Sequence, residues 1–275
     1  MLGIYLILSA GLTLIAGNFF DILRQSYSWW LLPLLLIGFT FLLVILHILF
    51  VVLMILTTNI NKPAKNGDFF RSLVKGILPT VIGILRVKVE YEGLEKLPEE
   101  GKILFVCNHQ HDFDPAIMIN AFPDSKISFI GKKDIYTEMP FIAKAMHRLE
   151  CLPIDRENDR DAAKTIIKAI KRLKDDETSI GLFPEGYTSK TAELLPFRNG
   201  SLKIALKSGA PIAVCVIDNM KGIHKRIFIK KTVVKFKLVD VIENERYKDM
   251  NTTELVDMIH EMMEKTLNTM RNSEC

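Results

Sequence analysis

The chain has 275 residues, 36 basic against 32 acidic for a formal charge of +4, and 49% hydrophobic content. This length holds one α/β domain of about 200 residues together with apolar segments, while so mild a charge balance leaves no electrostatic footprint for nucleic acid. The widely spaced cysteines Cys107, Cys151, Cys215 and Cys275 form no CxxC pair, so neither a disulfide framework nor a cysteine metal site is suggested and a reducing compartment fits.

The apolar content is concentrated at the start. Leu2 to Phe20 and Trp29 to Thr57 carry no charged side chain, and each is long enough for the roughly 30 Å hydrocarbon core of a bilayer. The first run lacks the basic leader of a signal peptide and is followed by the short loop DILRQSYS, so residues 1–58 are expected to form a hairpin of two transmembrane helices. Trp29 and Trp30 stand where interfacial aromatic anchors belong. Lys62, Lys65, Arg71 and Lys75 follow the second run, whereas the intervening loop has only Arg24 offset by Asp21. That asymmetry predicts an integral protein of the cell membrane with its longer C-terminal portion on the cytosolic side. His47, inside the second run, reads either as part of a proton path or as a neutral imidazole packed against the neighbouring helix.

Residues 66–85 keep a helical period without being apolar all round. Phe69, Phe70, Leu73, Val74, Ile77, Leu78, Val81, Ile82 and Leu85 form one face, with Arg71, Ser72, Lys75 and Gly76 on the other and Pro79 as an expected kink. Such a helix either packs in the core or lies along the membrane interface.

From residue 86 to 275 short β-like runs alternate with helical ones. RVKVEYE, KILFVC, ISFIG, SIGLF and PIAVCVI read as strands, and RIFIKKTVVKFKLVDV supplies one or two more. Asp159 to Lys174 and Thr252 to Met270 read as helices. The pattern predicts a cytosolic α/β domain with a largely parallel central sheet.

The chemistry-bearing cluster is NHQHDFD, Asn108 to Asp114, at the carboxyl end of the KILFVC strand, where open α/β sheets hold their ligands. Asp114 followed by Pro115 also suits a helix start, with Asp114 as the N-cap. Capping leaves His109 unexplained. A zinc hydrolase would draw on His109, His111, Asp112 and Asp114, yet the downstream His147, His224 and His260 show no metal-ligand spacing.

This cluster resembles the NHxxxxD (HX4D) block of the glycerolipid acyltransferases, the family of 1-acyl-sn-glycerol-3-phosphate acyltransferases. CLPIDR (Cys151 to Arg156) resembles that family's second block, FPEG (Phe183 to Gly186) its third, and APIAVCVI (Ala210 to Ile217) its fourth. The resemblance implies acyl transfer from acyl-CoA or acyl-ACP, without a cofactor, to the free hydroxyl of 1-acyl-sn-glycerol 3-phosphate at a phospholipid bilayer, or to glycerol 3-phosphate or another lysolipid. It implies His109 as general base and Asp114 as its orienting carboxylate. Arg156 would bind phosphate with Lys132 and Lys133 as nearby charges, Glu185 would orient acceptor hydroxyls, and Gly186 would permit a tight turn. The third block here continues as Tyr187 and Thr188, where the family commonly has threonine and arginine. Lys190 and Arg198 are the basic residues that follow.

Overall fold

The computed structural model describes residues 2–24, 29–65, 67–198, 200–220, 223 and 231–272. The loop residues 25–28, the run 224–230 with His224, and Cys275 lie outside the described residues.

Two apolar helices, α1 (Leu2–Phe19) and α2 (Leu31–Leu56), pack against each other at the N-terminus. Of the described helices only α2 is long and apolar enough to cross a membrane, and α1 is shorter. Among apolar side chains the two helices are joined by polar contacts: Thr40 Oγ1 donates to Ser9 Oγ at 2.9 Å, and Tyr5 meets His47. The other nitrogen of His47, Nε2, lies 3.1 Å from the Leu73 carbonyl of α3 (Gly67–Ile84). A carbonyl only accepts, so Nε2 carries the proton and Nδ1 accepts from the Tyr5 hydroxyl. The imidazole therefore fastens three helices together.

Helix α3 runs through Pro79 and buries Phe70, Ile77, Leu78 and Ile82. Arg71, expected on the polar face, is only 3% exposed. Its guanidinium donates to the carbonyls of Ile127 and, at 2.8 Å, Leu149, so it bolts α3 onto the sheet domain. Periodicity assigned it to solvent because a lone arginine at that spacing carries no sign of two waiting carbonyls.

The domain that follows is built on β1 (Val87–Glu92), β2 (Leu104–Cys107), β3 (Ile127–Lys132), β4 (Leu152–Ile154), β5 (Ser179–Leu182), β6 (Ile212–Asp218) and β7 (Thr232–Ile242). They form one sheet in the order β1-β7-β6-β2-β5-β3-β4, with β6 and β7 antiparallel and the other neighbours parallel. The fully buried β2 and β5 are continuous apolar runs, as a strand covered on both faces requires, whereas β7 alternates buried and half-buried residues. The connections are α4 (Asp114–Ala121) after β2, α5 (Ile135–Glu138) and α6 (Pro140–Arg148) after β3, α7 (Asp159–Lys174) after β4, and α8 (Lys203–Ser208) before β6. The amphipathic α7 spans the expected residues, its Asn158 side chain accepting from the Arg160 and Asp161 amides. A C-terminal helix, Thr252–Asn272, buries Leu255, Ile259, Met263 and Leu267. Because β2, β5 and β6 are parallel neighbours, the loops leaving their carboxyl ends converge on one edge. There the chain leaves β2 toward β3 on one side, while β6 lies on the other, which is the crevice geometry of open α/β sheets.

Candidate active site

Beyond Cys107 the chain cannot continue straight, because Asn108 closes the ladder. Its amide nitrogen donates to the Ile217 carbonyl at 2.9 Å and its oxygen accepts from the Ile217 amide at 2.8 Å, so the side chain imitates one more residue of β6 pairing. The next residue, His109, turns out of the sheet with a side chain 17% exposed. Its ring stacks on Phe183 with centroids 4.3 Å apart, and Nδ1 lies 2.9 Å from Asp114 Oδ2. A carboxylate only accepts, so Nδ1 carries the proton and Nε2 the lone pair.

Asp114 is not the N-cap of α4. It is the first helical residue, after Phe113, and its side chain is 0% exposed. The same Oδ2 accepts from the backbone amides of Gln110 at 2.7 Å and His111 at 2.9 Å. The carboxylate thus curls back over the loop that precedes it, holding two amides and the imidazole at once. His111 points elsewhere, its Nδ1 accepting from the Phe113 amide at 3.0 Å. Among the described residues no three histidine, cysteine, aspartate or glutamate side chains converge as a metal site would require, so the zinc-hydrolase reading has no ligand set there.

Glu185, after β5, is 2% exposed, and its two oxygens accept from the His109 amide at 2.7 Å and the Leu195 amide at 3.0 Å. Burial pushes its pKa up to about 7, against the pull of those two amides. Its oxygens therefore face backbone rather than an acceptor hydroxyl, and its place is beneath the loop that carries His109. The Ser189 amide adds a bond to the His109 carbonyl at 2.8 Å.

Three residues without motif signals complete the frame. Gln110 donates to Asp218 Oδ1 at 2.9 Å and accepts from the Met220 amide at 3.2 Å. Asp218, at the end of β6, receives Arg271 of the C-terminal helix on both oxygens, at 2.9 and 3.1 Å. Burial pulls the Asp218 pKa up, but Arg271 and Gln110 outweigh it and hold the carboxyl below its usual range. Sequence offered no pointer to this chain of contacts, since its members are scattered across more than half of the domain.

The phosphate candidates cluster at the carboxyl ends of β4 and β5. Arg156 places its guanidinium carbon 5.3 Å from the Tyr187 ring centroid, and Arg198 places its own at 4.8 Å from the same ring. Lys132 and Lys133 lie nearby but are exposed and paired, with Asp134 and, at 3.1 Å, Asp155. Exposed pairs of this kind contribute little to stability, because water screens the charges and the long side chains lose entropy. Lys190 is exposed. A separate cleft of about 740 Å³, lined by Leu94, Gly101, Phe122 and Ser179, opens at the opposite, amino end of the strands and holds none of these groups.

Comparison with known proteins agrees with the arrangement. Residues 88–218 match the acyltransferase family model. The 1-acyl-sn-glycerol-3-phosphate acyltransferase of Haemophilus influenzae is 28% identical over 184 residues, 66% of this chain and 75% of that protein. The Escherichia coli protein of the same name is 30% identical over 149 residues, 52% of this chain and 60% of its own length. The crystal structure of the 1-acyl-sn-glycerophosphate acyltransferase of Thermotoga maritima shares the fold, with a TM-score of 0.61 over 81% of this chain and 87% of that one at 21% identity. With the ordered blocks folded around one edge of the sheet, residues 88–218 match an acyltransferase domain, and the chain is an acyltransferase similar to these 1-acyl-sn-glycerol-3-phosphate acyltransferases.

Proposed function

We propose that the chain transfers an acyl group from acyl-CoA or acyl-ACP to the free hydroxyl of 1-acyl-sn-glycerol 3-phosphate, giving phosphatidate for phospholipid biosynthesis. The observation that carries this reading is the His109 to Asp114 contact of 2.9 Å at the carboxyl edge of the sheet, with Nε2 left as the basic nitrogen. The relatives named for that reaction support the choice of acceptor. The apolar α2 supports a position at the bilayer, where such an acceptor resides, with the catalytic domain on the cytosolic side of the cell membrane.

In this mechanism His109 Nε2 takes the acceptor's hydroxyl proton as the oxygen attacks the thioester carbonyl carbon. Asp114 keeps the proton on Nδ1 and stabilises the imidazolium that forms. As the tetrahedral centre collapses, the carbon–sulfur bond breaks and Nε2 returns its proton to the departing thiolate. The acceptor oxygen is the nucleophile, so no serine or cysteine is consumed and Cys107 remains a buried thiol in the sheet. Glu185 and Gln110 hold the loop on which His109 rides, and Arg156 holds the acceptor phosphate.

The alternative acceptors are glycerol 3-phosphate and another lysolipid, since the third block carries Tyr187 and Thr188 where the family commonly has threonine and arginine. Labelled acyl groups supplied as both thioesters to the purified protein, with lysophosphatidate, glycerol 3-phosphate and uncharged or zwitterionic lysolipids, decide between them. Preferred transfer to lysophosphatidate is expected, and transfer only to an acceptor without a phosphate monoester overturns the proposal.

A further inference from the structure

Two arginines that lie 42 positions apart in sequence are held over one tyrosine, and neither is ion-paired with a carboxylate among the described residues. The guanidiniums of Arg156 and Arg198 approach the Tyr187 ring to 5.3 and 4.8 Å, and Arg198 Nη2 donates to the Tyr187 hydroxyl at 2.5 Å. Half-buried like charges repel. Burial, then the positive charge of Arg198, lowers the pKa of Arg156. The ring face offsets part of this cost by cation–π attraction.

The backbone is shaped to bring Arg198 there. Gly186 has φ of 76°, and a Cβ at that position would stand 2.7 Å from both Cδ and Nε of Arg198. The Arg198 amide donates to the Pro184 carbonyl at 2.9 Å, closing the loop from Tyr187 onto the FPEG turn. That loop also reaches the catalytic residues, through the Ser189 amide on the His109 carbonyl and the Leu195 amide on Glu185. Two forked cations held against a loop that also bonds the His109 carbonyl, and without an ion-pair partner among the described residues, are suited to a dianionic oxyanion that brings its own charge.

We infer that Arg198 and Tyr187 complete, with Arg156, a clamp for a phosphate monoester, Arg198 as its second arm and the Tyr187 ring as the shelf that keeps the two arms apart. The inference deepens the phosphorylated-acceptor reading above and rests on it for the identity of the ligand. It also gives Gly186 a specific reason, namely passage of the Arg198 stem. Phosphate chemistry of this kind enters the site from two sources, the acceptor headgroup and the phosphates of the thioester carrier.

The test is a set of variants in the full-length protein: Arg198→Ala, Arg198→Lys, Tyr187→Ala and Tyr187→Phe. Half-saturation is measured for lysophosphatidate, for an uncharged monoacylglycerol acceptor and for each thioester donor, alongside calorimetric binding of glycerol 3-phosphate as a soluble probe. Arg198→Ala is expected to raise the lysophosphatidate half-saturation about tenfold to a hundredfold, the loss that follows from a charge-assisted contact, with kcat little changed. Arg198→Lys, which keeps the stem and the charge but not the fork, falls between, and Tyr187→Phe retains more than Tyr187→Ala. Half-saturation for the uncharged acceptor stays unchanged, which a collapsed loop would not allow. A rise confined to the donor keeps the clamp and assigns it to the carrier's phosphates. Loss of probe binding in Arg198→Ala, in a protein that transfers to no lysolipid, keeps the clamp while removing the acceptor reading. Unaltered half-saturation for every phosphorylated substrate, with unaltered probe binding, overturns the inference.

Discussion

The two ends of the functional edge are built on opposite principles. Around His109, the carboxylates Asp114 (through Oδ2), Glu185 and Asp218 accept from amides, an imidazole or a guanidinium already in the fold. Around Tyr187, the guanidiniums of Arg156 and Arg198 have a ring for company but, among the described residues, no carboxylate in ion-pair contact, Asp134 acting on Arg156 only from farther off. The first region is fixed before anything binds, and the second keeps its charge for an incoming anion. Under the proposed function, chemistry falls to the rigid end, where a misplaced base would lose rate, and recognition to the end whose electrostatics a ligand completes.

The sharpest way to break this contrast is Asp114→Asn. The amide retains an oxygen for the Gln110 and His111 amides but gives up the charge that stabilises the imidazolium. Transfer should fall by about 10² to 10⁴-fold in kcat, with thermal unfolding little affected, as measured by labelled acyl transfer and circular dichroism. Retained activity would mean that the fixed end is a scaffold only.

Glu185 gives the next largest effect, and it appears in stability. Burial raises its folded-state pKa from the ordinary 4.5 to about 7, so the folded protein binds this proton more tightly than the unfolded chain. Its contribution is fully present below the unfolded value and is lost as pH rises toward 7, a fall of up to about 3 kcal/mol. Denaturant unfolding between pH 4.5 and 8 should show that decline. Glu185→Gln should flatten this part of the profile and weaken activity by loosening the His109 amide.

At the other end, Arg156→Ala should raise half-saturation for phosphorylated acceptors by about tenfold to a hundredfold while leaving kcat nearly intact. The split between KM and kcat sharpens the comparison, because Asp114→Asn should show the reverse. The smallest effect is expected from Arg271→Ala, which frees Asp218 and, through it, Gln110. A loss of about 1 to 2 kcal/mol in stability and a several-fold lower kcat should follow, partly restored by Arg271→Lys, with half-saturation unchanged.

Legibility followed the same division. NHQHDFD, CLPIDR and FPEG brought His109, Asp114, Arg156 and Glu185 to attention through their resemblance to the blocks of one acyltransferase family, and His109 and Asp114 also by following an apolar strand run that is plain in the sequence. For Asp114 only the capping reading fails: Asp-Pro spells a helix start, while the orienting contact with His109 implied by the resemblance is present, and its two further bonds to the preceding loop depend on how that loop folds. The partnership of Arg198 with Arg156 was only half visible, since it depends on a positive φ at Gly186 and on a loop closing at Pro184. Gln110, Asp218 and Arg271 were invisible for the same reason, their contacts joining segments more than fifty residues apart. In the helical region, periodicity found α3 yet gave Arg71 to solvent, because its carbonyl partners come from other elements.

The central claim is that one histidine of the pair, His109, moves the proton while His111 only closes the loop. Acyl transfer by His109→Ala and His111→Ser, measured side by side after thorough chelation, tests it most directly. The account predicts a loss of about 10² to 10⁴-fold for His109→Ala in a folded protein, and substantial activity for His111→Ser, whose Nδ1 accepts from the Phe113 amide. Equal and severe losses from the two changes, together with abolition of wild-type activity by the chelator, would contradict it.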